Sequence, residues 1–384
     1  MEVKQVYTLV NDATRELLGE EQLLQEDLSN VVDLGDTIAN RVGYDKYVKT
    51  LVNHIGKVIF VNRAYRGGVP SVMMDAWEFG SVVEKISGDL PDATENETWE
   101  LENGTSYDPN IFYQPTITAK FFNNKTTFEV PVSFTELQVK QSFTNATQLN
   151  SFISMIFNNV EKAMTVKVDA LIMRTINNLI GETLYDEASG GTYTGRTGVK
   201  AINLLYEYNQ NFTQTLTASK CLTDANFIRY AVYRIGIVSD RMTKISSLFN
   251  IGGKARFTPK DLQHIVLLSD LVNGAKAYLE SDTFHDELVR LPQAETVPYF
   301  QGSGTNYDFG DITKIDIKTS GGHTITATGI LGVIFDRDAL GVTNLDRRVT
   351  SNYNPKAEFY TNWYKFDAGF FNDLDENFVV FYVA

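Results

Sequence analysis

Residues 150–181, NSFISMIFNNVEKAMTVKVDALIMRTINNLIG, read as one uninterrupted helix. The apolar residues Leu149, Phe152, Ile153, Ile156, Phe157, Val160, Met164, Val168, Leu171, Ile172, Leu179 and Ile180 recur at spacings of three and four. On a helix that spacing gathers them along one side. Thr144 or Asn145 can cap the start, and Gly181 is the left-handed residue expected at the end. At 1.5 Å per residue the predicted rod, 146–180, is about 50 Å long. Half of a coiled coil would show a narrower, more regular stripe and a second helix of matching length elsewhere. The sequence shows neither, so the rod is expected to lie on a sheet.

Strand patterns flank it. Phe128, Val130 and Val132 alternate with Thr127 and Glu129, and Pro131 suggests an edge position. The tail predicts two further strands, 357–369 and 377–383, broken by an acidic turn. Shorter strands are expected at 312–318, 323–328 and 329–335, and helices at 225–248 and 259–279, the latter started by Thr258-Pro259. The run HIGKVIFVN, 54–62, predicts a strand. Residues 1–40 are polar, with short helical pieces around Leu17, Leu18, Leu23, Leu24 and Leu28, and are expected to form an arm. Residues 63–124, rich in glycine and proline, predict an extended excursion.

The 384 residues are 43% hydrophobic and 21% charged, an ordinary globular composition. No run of eighteen apolar residues is present, and the first twenty residues are too polar for a secretory signal, so a non-exported, membrane-free protein is expected. Cys221 is the only cysteine, which rules out a disulfide framework or cysteine zinc site within the chain. The five Asn-x-Thr sequons, at Asn96, Asn103, Asn124, Asn145 and Asn211, are attributed to chance. A net charge of −14 opposes close approach to a polyphosphate and argues against a groove-reading DNA-binding protein. Between Asp75 and Glu102, nine carboxylates face only Lys85. That stretch is either a solvated loop or an arm that docks on basic residues of a neighbour.

Catalytic motifs fail on physical grounds. Gly302 and Gly304 lack the strand-to-helix turn and third glycine of a dinucleotide site, and Gly252–Gly253–Lys254 lacks the rest of a phosphate loop. His54, His264, His285 and His323 are scattered, without the i, i+4 pairing of a helical metal site. Asp282, His285 and Asp286 could meet on one helix face and bind a divalent ion, but solvated polar side chains are the simpler reading. Asp336 and Asp338 could form an acid–base pair, although a pinned turn is the simpler reading. Cys221 has no neighbour to activate it. No catalytic residue, cofactor or metal is expected, and an α/β enzyme using Asp336, Asp338 or His285 is the weaker alternative.

The layout, with EVPVSFTELQVKQSF leading into the rod and its Glu161, Lys162, Ala163 and Asp169, and with GILGVIFDRDALGVTNLDRRVTSNYNPKAEFYTNWYKFDAGFFNDLDENFVVFYVA at the end, resembles the major capsid proteins of tailed phages. Their fold, of the Hong Kong phage type, is shared with encapsulin shells and the floor of herpesvirus capsids. The resemblance implies an α+β fold with an N-terminal arm (1–40), a peripheral domain with its spine helix (41–62, 125–200 and 342–371), an extended loop (63–124) and an axial domain (201–341 and 372–384). It implies Arg63, Arg66, Trp77, Glu78, Glu84 and Trp99, on the extended loop, as inter-subunit contact candidates. The function implied is that of a head-shell subunit enclosing double-stranded DNA without reading its sequence, or alternatively of an encapsulin-like compartment.

Implied partners are copies of the chain in pentamers and hexamers, a portal, and in some cases decoration proteins. A separate scaffolding protein is expected because the arm is reached almost at once. Location would be the virion, after assembly in the host cytoplasm. Some members link subunits through a Lys–Asn isopeptide bond; Lys85 is a lysine of the loop, but no motif transfers that role to it.

Overall fold

The computed structural model describes residues 3–20, 23–61, 69–74, 83–91, 93, 95, 100–108, 110–114, 116–279, 294–300 and 314–384. In chain order the elements begin α1 (Val3–Leu18), α2 (Val31–Arg41), α3 (Tyr44–Val61), β1 (Met73–Met74), β2 (Val83–Gly88), β3 (Ile117–Phe122), β4 (Lys125–Thr135), α4 (Glu136–Ser142) and α5 (Ala146–Glu187). They continue β5 (Ala201–Asn203), α6 (Leu204–Phe212), α7 (Ala218–Cys221), α8 (Ala225–Met242), β6 (Gln263–Leu268), α9 (Ser269–Leu279) and β7 (Glu295–Val297). The last are β8 (Ile315–Lys318), β9 (Thr324–Ala327), β10 (Ile330–Asp336), β11 (Leu340–Asn354), β12 (Phe359–Asn372) and β13 (Phe378–Tyr382). The chain divides into two compact units, residues 1–76, 125–172 and 342–369 in one and 77–124, 173–341 and 370–384 in the other.

The first unit holds a four-stranded sheet in the order β1-β11-β12-β4. β4 is its edge, and Pro131, opposite Trp363, sits where the sequence placed it, on a strand that can lack a ladder donor. The inward face of β12 carries Tyr360, Tyr364 and Phe366, all at most 2% exposed. Phe134 bridges sheet and rod, with its ring 5.8 Å from Tyr360 and 5.2 Å from Phe152 of α5. The rod does lie on a sheet. α4 is set between them by a capping box, Thr135 accepting from the Gln138 N–H while the Gln138 side chain accepts from the Thr135 N–H.

Three expectations fail here or need revising. Residues 54–61 belong to helix α3 rather than a strand. The β-branched run suggested extension, but Tyr47, Val48, Leu51, Val52 and Ile55 recur at helical spacing and are all buried. The polar N-terminal segment has a core side of its own: Val6, Leu9, Val10 and Ala13 of α1 and Val31, Leu34 and Ile38 of α2 are buried. Asn11 ties the turn between these helices through both amide atoms to the backbone of Leu24, and Thr14 meets Tyr47 of α3. The rod also continues to Glu187, and Gly181 does not end it. Ser189 and Gly190, with φ of 49° and 75°, close it instead.

In the second unit a five-stranded sheet runs β5-β13-β10-β6-β7. β10 and β13 are buried along their whole length, which explains their continuous apolar runs. The predicted helix 259–279 is corrected to a strand and a shorter helix. QHIVLL forms β6 beside β10, with Val266 opposite Val333, and only Ser269–Leu279 is helical. A four-residue apolar run, Ile265–Leu268, fits a buried strand as well as a helix, and the sheet partner decides. The helix predicted over 225–248 stops at Met242. Gly181 has a different task here. A Cβ on it would lie 2.9 Å from the Thr319 methyl, in the turn joining β8 to β9. That turn is stitched to the rod: the Ser320 N–H donates to Asn178 (2.7 Å) and the Gly321 N–H to Glu182 (2.6 Å).

Candidate inter-subunit surface

Residues 83–88 and 117–122 form an antiparallel pair, β2 with β3, in the long excursion. The alternation of side chains gives the ribbon two unlike faces. One face pairs Val83 with Phe122, Lys85 with Lys120, and Ser87 with Thr118, all half-buried. The other presents Glu84 opposite Phe121, Ile86 opposite Ala119, and Gly88 opposite Ile117. On that face Ile86, Ile117 and Phe121 are 66%, 67% and 64% exposed.

Two lysines directly opposite each other would repel. The acidic turn between β12 and β13 resolves this. Lys85 Nζ lies 2.8 Å from Asp373 and 2.7 Å from Glu376, while Lys120 Nζ lies 2.9 Å from Asp373 and 2.6 Å from Asp375. Arg256 approaches Glu376 at 3.4 Å, and Lys85 also donates to the Asp338 carbonyl. Asp373, 2% exposed on its side chain, therefore joins both strands of the hairpin to the body. Burial alone would raise its carboxyl, but hydrogen bonds and charge from Lys85 and Lys120 hold it below the usual range. For Glu376 burial wins, and its carboxyl is raised. Farther along, Lys254 pairs with Asp89 at 2.7 Å and Phe122 packs on Phe371 at 5.2 Å.

Of the contact candidates read from sequence, Glu84 sits on the exposed face. Arg63, Arg66, Trp77, Glu78 and Trp99 lie outside the described residues, as do Asp282, His285 and Asp286. Reading the sequence missed the pairing of Lys85 and Lys120 with the acidic turn. The signal was present, since these are the two cations flanking a stretch that has none, and 373–376 is the densest carboxylate turn in the tail.

Among the described residues, Asp336, Cys221 and His264 sit in structural settings. Asp336 accepts from the Thr258 hydroxyl (2.6 Å) and from the Asp338 N–H (2.9 Å), so this is a pinned turn with both oxygens engaged. Burial pushes the Cys221 thiol up to about 11, far from a thiolate at neutral pH. His264 is stacked on Phe335, and burial lowers its pKa. Among the described residues no cluster suits a metal ion, and no helix is long and apolar enough to cross a membrane.

The chain is similar in fold to a protein in the capsid structure of Staphylococcus phage Andhra, at 10% identity and a TM-score of 0.50, over 84% of this chain and 86% of that one. A weaker likeness, at 9% identity and a TM-score of 0.47, covers 84% of this chain and 86% of one in the structure of head fibre and inner core protein from native bacteriophage P68. Among curated proteins nothing matches. The family model of the Phi29-like phage major capsid protein matches residues 10–382, nearly the whole length, and the chain belongs to that family: it is a structural subunit of a tailed-phage capsid.

Proposed function

We propose that the β2–β3 hairpin is the element by which each capsid subunit grips the next copy, within pentamers and hexamers that close into an icosahedral shell around double-stranded DNA. The observation that carries this reading is the hairpin's outer face. An isolated two-stranded ribbon is marginal in water, and three large apolar side chains about two-thirds exposed on one side of it call for a cover. Its inner face is already held by the body, so the ribbon is offered to a neighbour in a fixed pose, which lowers the ordering cost of association. A heterologous contact of this kind, repeated around a rotation axis, closes rings.

The net charge of −14 supports a wall that does not grip the genome, since like charge keeps the polyphosphate mobile against it. The experiment is expression of the full chain with its assembly helpers, followed by electron microscopy. Wild-type chain is expected as shells and an Ile86→Ser, Ile117→Ser, Phe121→Ser variant as folded, unassembled subunits. Shells formed by the variant at wild-type yield would remove the proposal.

A further inference from the structure

Helices α6 and α8 enclose a cluster of aromatic rings, with centroids of Tyr208 and Phe212 5.1 Å apart and those of Phe212 and Tyr230 5.8 Å apart. Towards solvent the cluster opens into two adjoining depressions of about 470 Å³ and 650 Å³, which share Asn211, Tyr230 and Tyr233. Phe212 and Tyr233 are more than half exposed there. Their volumes fall in the range of clefts that receive apolar groups of ligand size. The rim is basic. Arg229 and Arg234 line the depressions, as does Arg241, and Lys244 follows just beyond the end of α8. Glu207 is occupied by a two-point hydrogen bond from Arg234, at 2.8 and 3.0 Å, and Asp240 is paired with Lys260. Arg241 and Lys244 make no ion pair among the described residues. A basic rim on a chain of net charge −14 selects an acidic occupant.

The chain itself carries such an occupant. From residue 86 to 119 there are seven carboxylates and not one Lys or Arg. Glu100, Glu102 and Asp108 are exposed there. So are Phe112 and Tyr113, at 84% and 82%, which means that neither is seated in a cleft of its own chain. Twenty-eight residues separate Gly88 from Ile117, so chain length at about 3.3 Å per residue permits a reach of up to about 45 Å from the hairpin.

We propose that the cleft between α6 and α8 receives residues 100–108 and 110–113 of a second copy of this chain. Aromatic side chains enter the two depressions, and the carboxylates meet Arg241 and Lys244. The inference rests on the reading of the hairpin as the element that reaches a neighbour, and adds where its far end lands.

The test replaces Phe112 with the photoreactive p-benzoylphenylalanine in the full chain. Shells are assembled from mixed isotope-labelled and unlabelled subunits with the assembly helpers, then irradiated. The expected product joins residue 112 to a peptide from 204–212 or 226–241 of a differently labelled copy. A cross-link elsewhere on another copy overturns the cleft assignment and leaves the reaching hairpin intact. A cross-link within one copy overturns both, and one to a different protein in the cleft gives that site another occupant and overturns the proposal. No cross-link in intact, irradiated shells counts against the cleft. In parallel, the Arg241→Glu, Lys244→Glu chain, unchanged in melting temperature, is expected to lower shell yield about tenfold at low salt. Adding Glu100→Lys and Glu102→Lys should recover part of the loss. Full yield from the charge-reversed chain overturns the proposal.

Discussion

The two faces of one hairpin obey opposite rules. Facing the body, Lys85 and Lys120 put two like charges side by side and are tolerated because Asp373, Asp375 and Glu376 surround them. Facing away, Ile86, Ile117 and Phe121 put three apolar side chains about two-thirds into water, left uncovered to that extent by the described residues. The polar face is satisfied inside the subunit, and the apolar face is the one we propose for assembly. The contrast teaches that exposure and burial alone do not sort structural from functional residues here. What sorts them is whether the chain supplies its own partner.

The largest effect should come from breaking the outer face. Ile86→Glu with Ile117→Glu and Phe121→Glu is expected to abolish shells, since each anchor buried at an interface contributes about 2 kcal/mol or more. The melting temperature of the unassembled subunit should barely move. Sedimentation and differential scanning fluorimetry on the same preparations check both halves.

Breaking the inner face should give the reverse ranking. Asp373→Ala leaves Lys85 and Lys120 opposed without their shared carboxylate. Removing one partner of a buried pair costs about 3 kcal/mol. Chemical denaturation of the unassembled subunit should show that loss, and limited proteolysis should cut the hairpin faster.

A control outside the hairpin sharpens the contrast. Gly181→Ala would normally stabilise a helix interior, but here its Cβ meets the Thr319 methyl at 2.9 Å. A loss of about 1–2 kcal/mol from overpacking is expected, largely relieved by Thr319→Ser. Shell yield should follow subunit stability and nothing more.

The smallest effect is one of pH. The folded-state pKa of Asp373 is lowered from 3.8, so its contribution is fully present above that value and is lost as pH falls through the lowered one. The stability gap between wild type and Asp373→Asn should stay constant above about pH 4 and narrow below it. Melting curves across acid pH measure the gap, and a gap that widens on acidification would reverse the assigned sign.

Much of the fold was legible because its signals are local. The long rod, the alternating strands β4 and β12, the apolar β13 and the acidic excursion each announce themselves within their own residues. Two departures from expectation share one cause. HIGKVIFVN and QHIVLL are short apolar runs whose periodicity fits either element. The first became helix α3, with Tyr47 and Thr14 in contact, and the second became strand β6 beside β10. Gly181 looks like a terminator by itself, because nothing near it in the chain signals the β8–β9 turn that packs on it. The candidate surface was half legible: the excursion and its charge were visible, but which face stayed bare was not.

The sequence alone determined that the chain would build a rod on a sheet, carry an acidic excursion without cations between Lys85 and Lys120, and lack a catalytic motif, because helical and strand periodicity and charge are properties of neighbouring residues. Only the tertiary structure decided that Lys120 meets Asp373, 253 positions away, and so which side of the hairpin is spent on the body and which is free. A strand's two faces are equivalent until something packs on one of them, and that partner comes from a distant part of the chain.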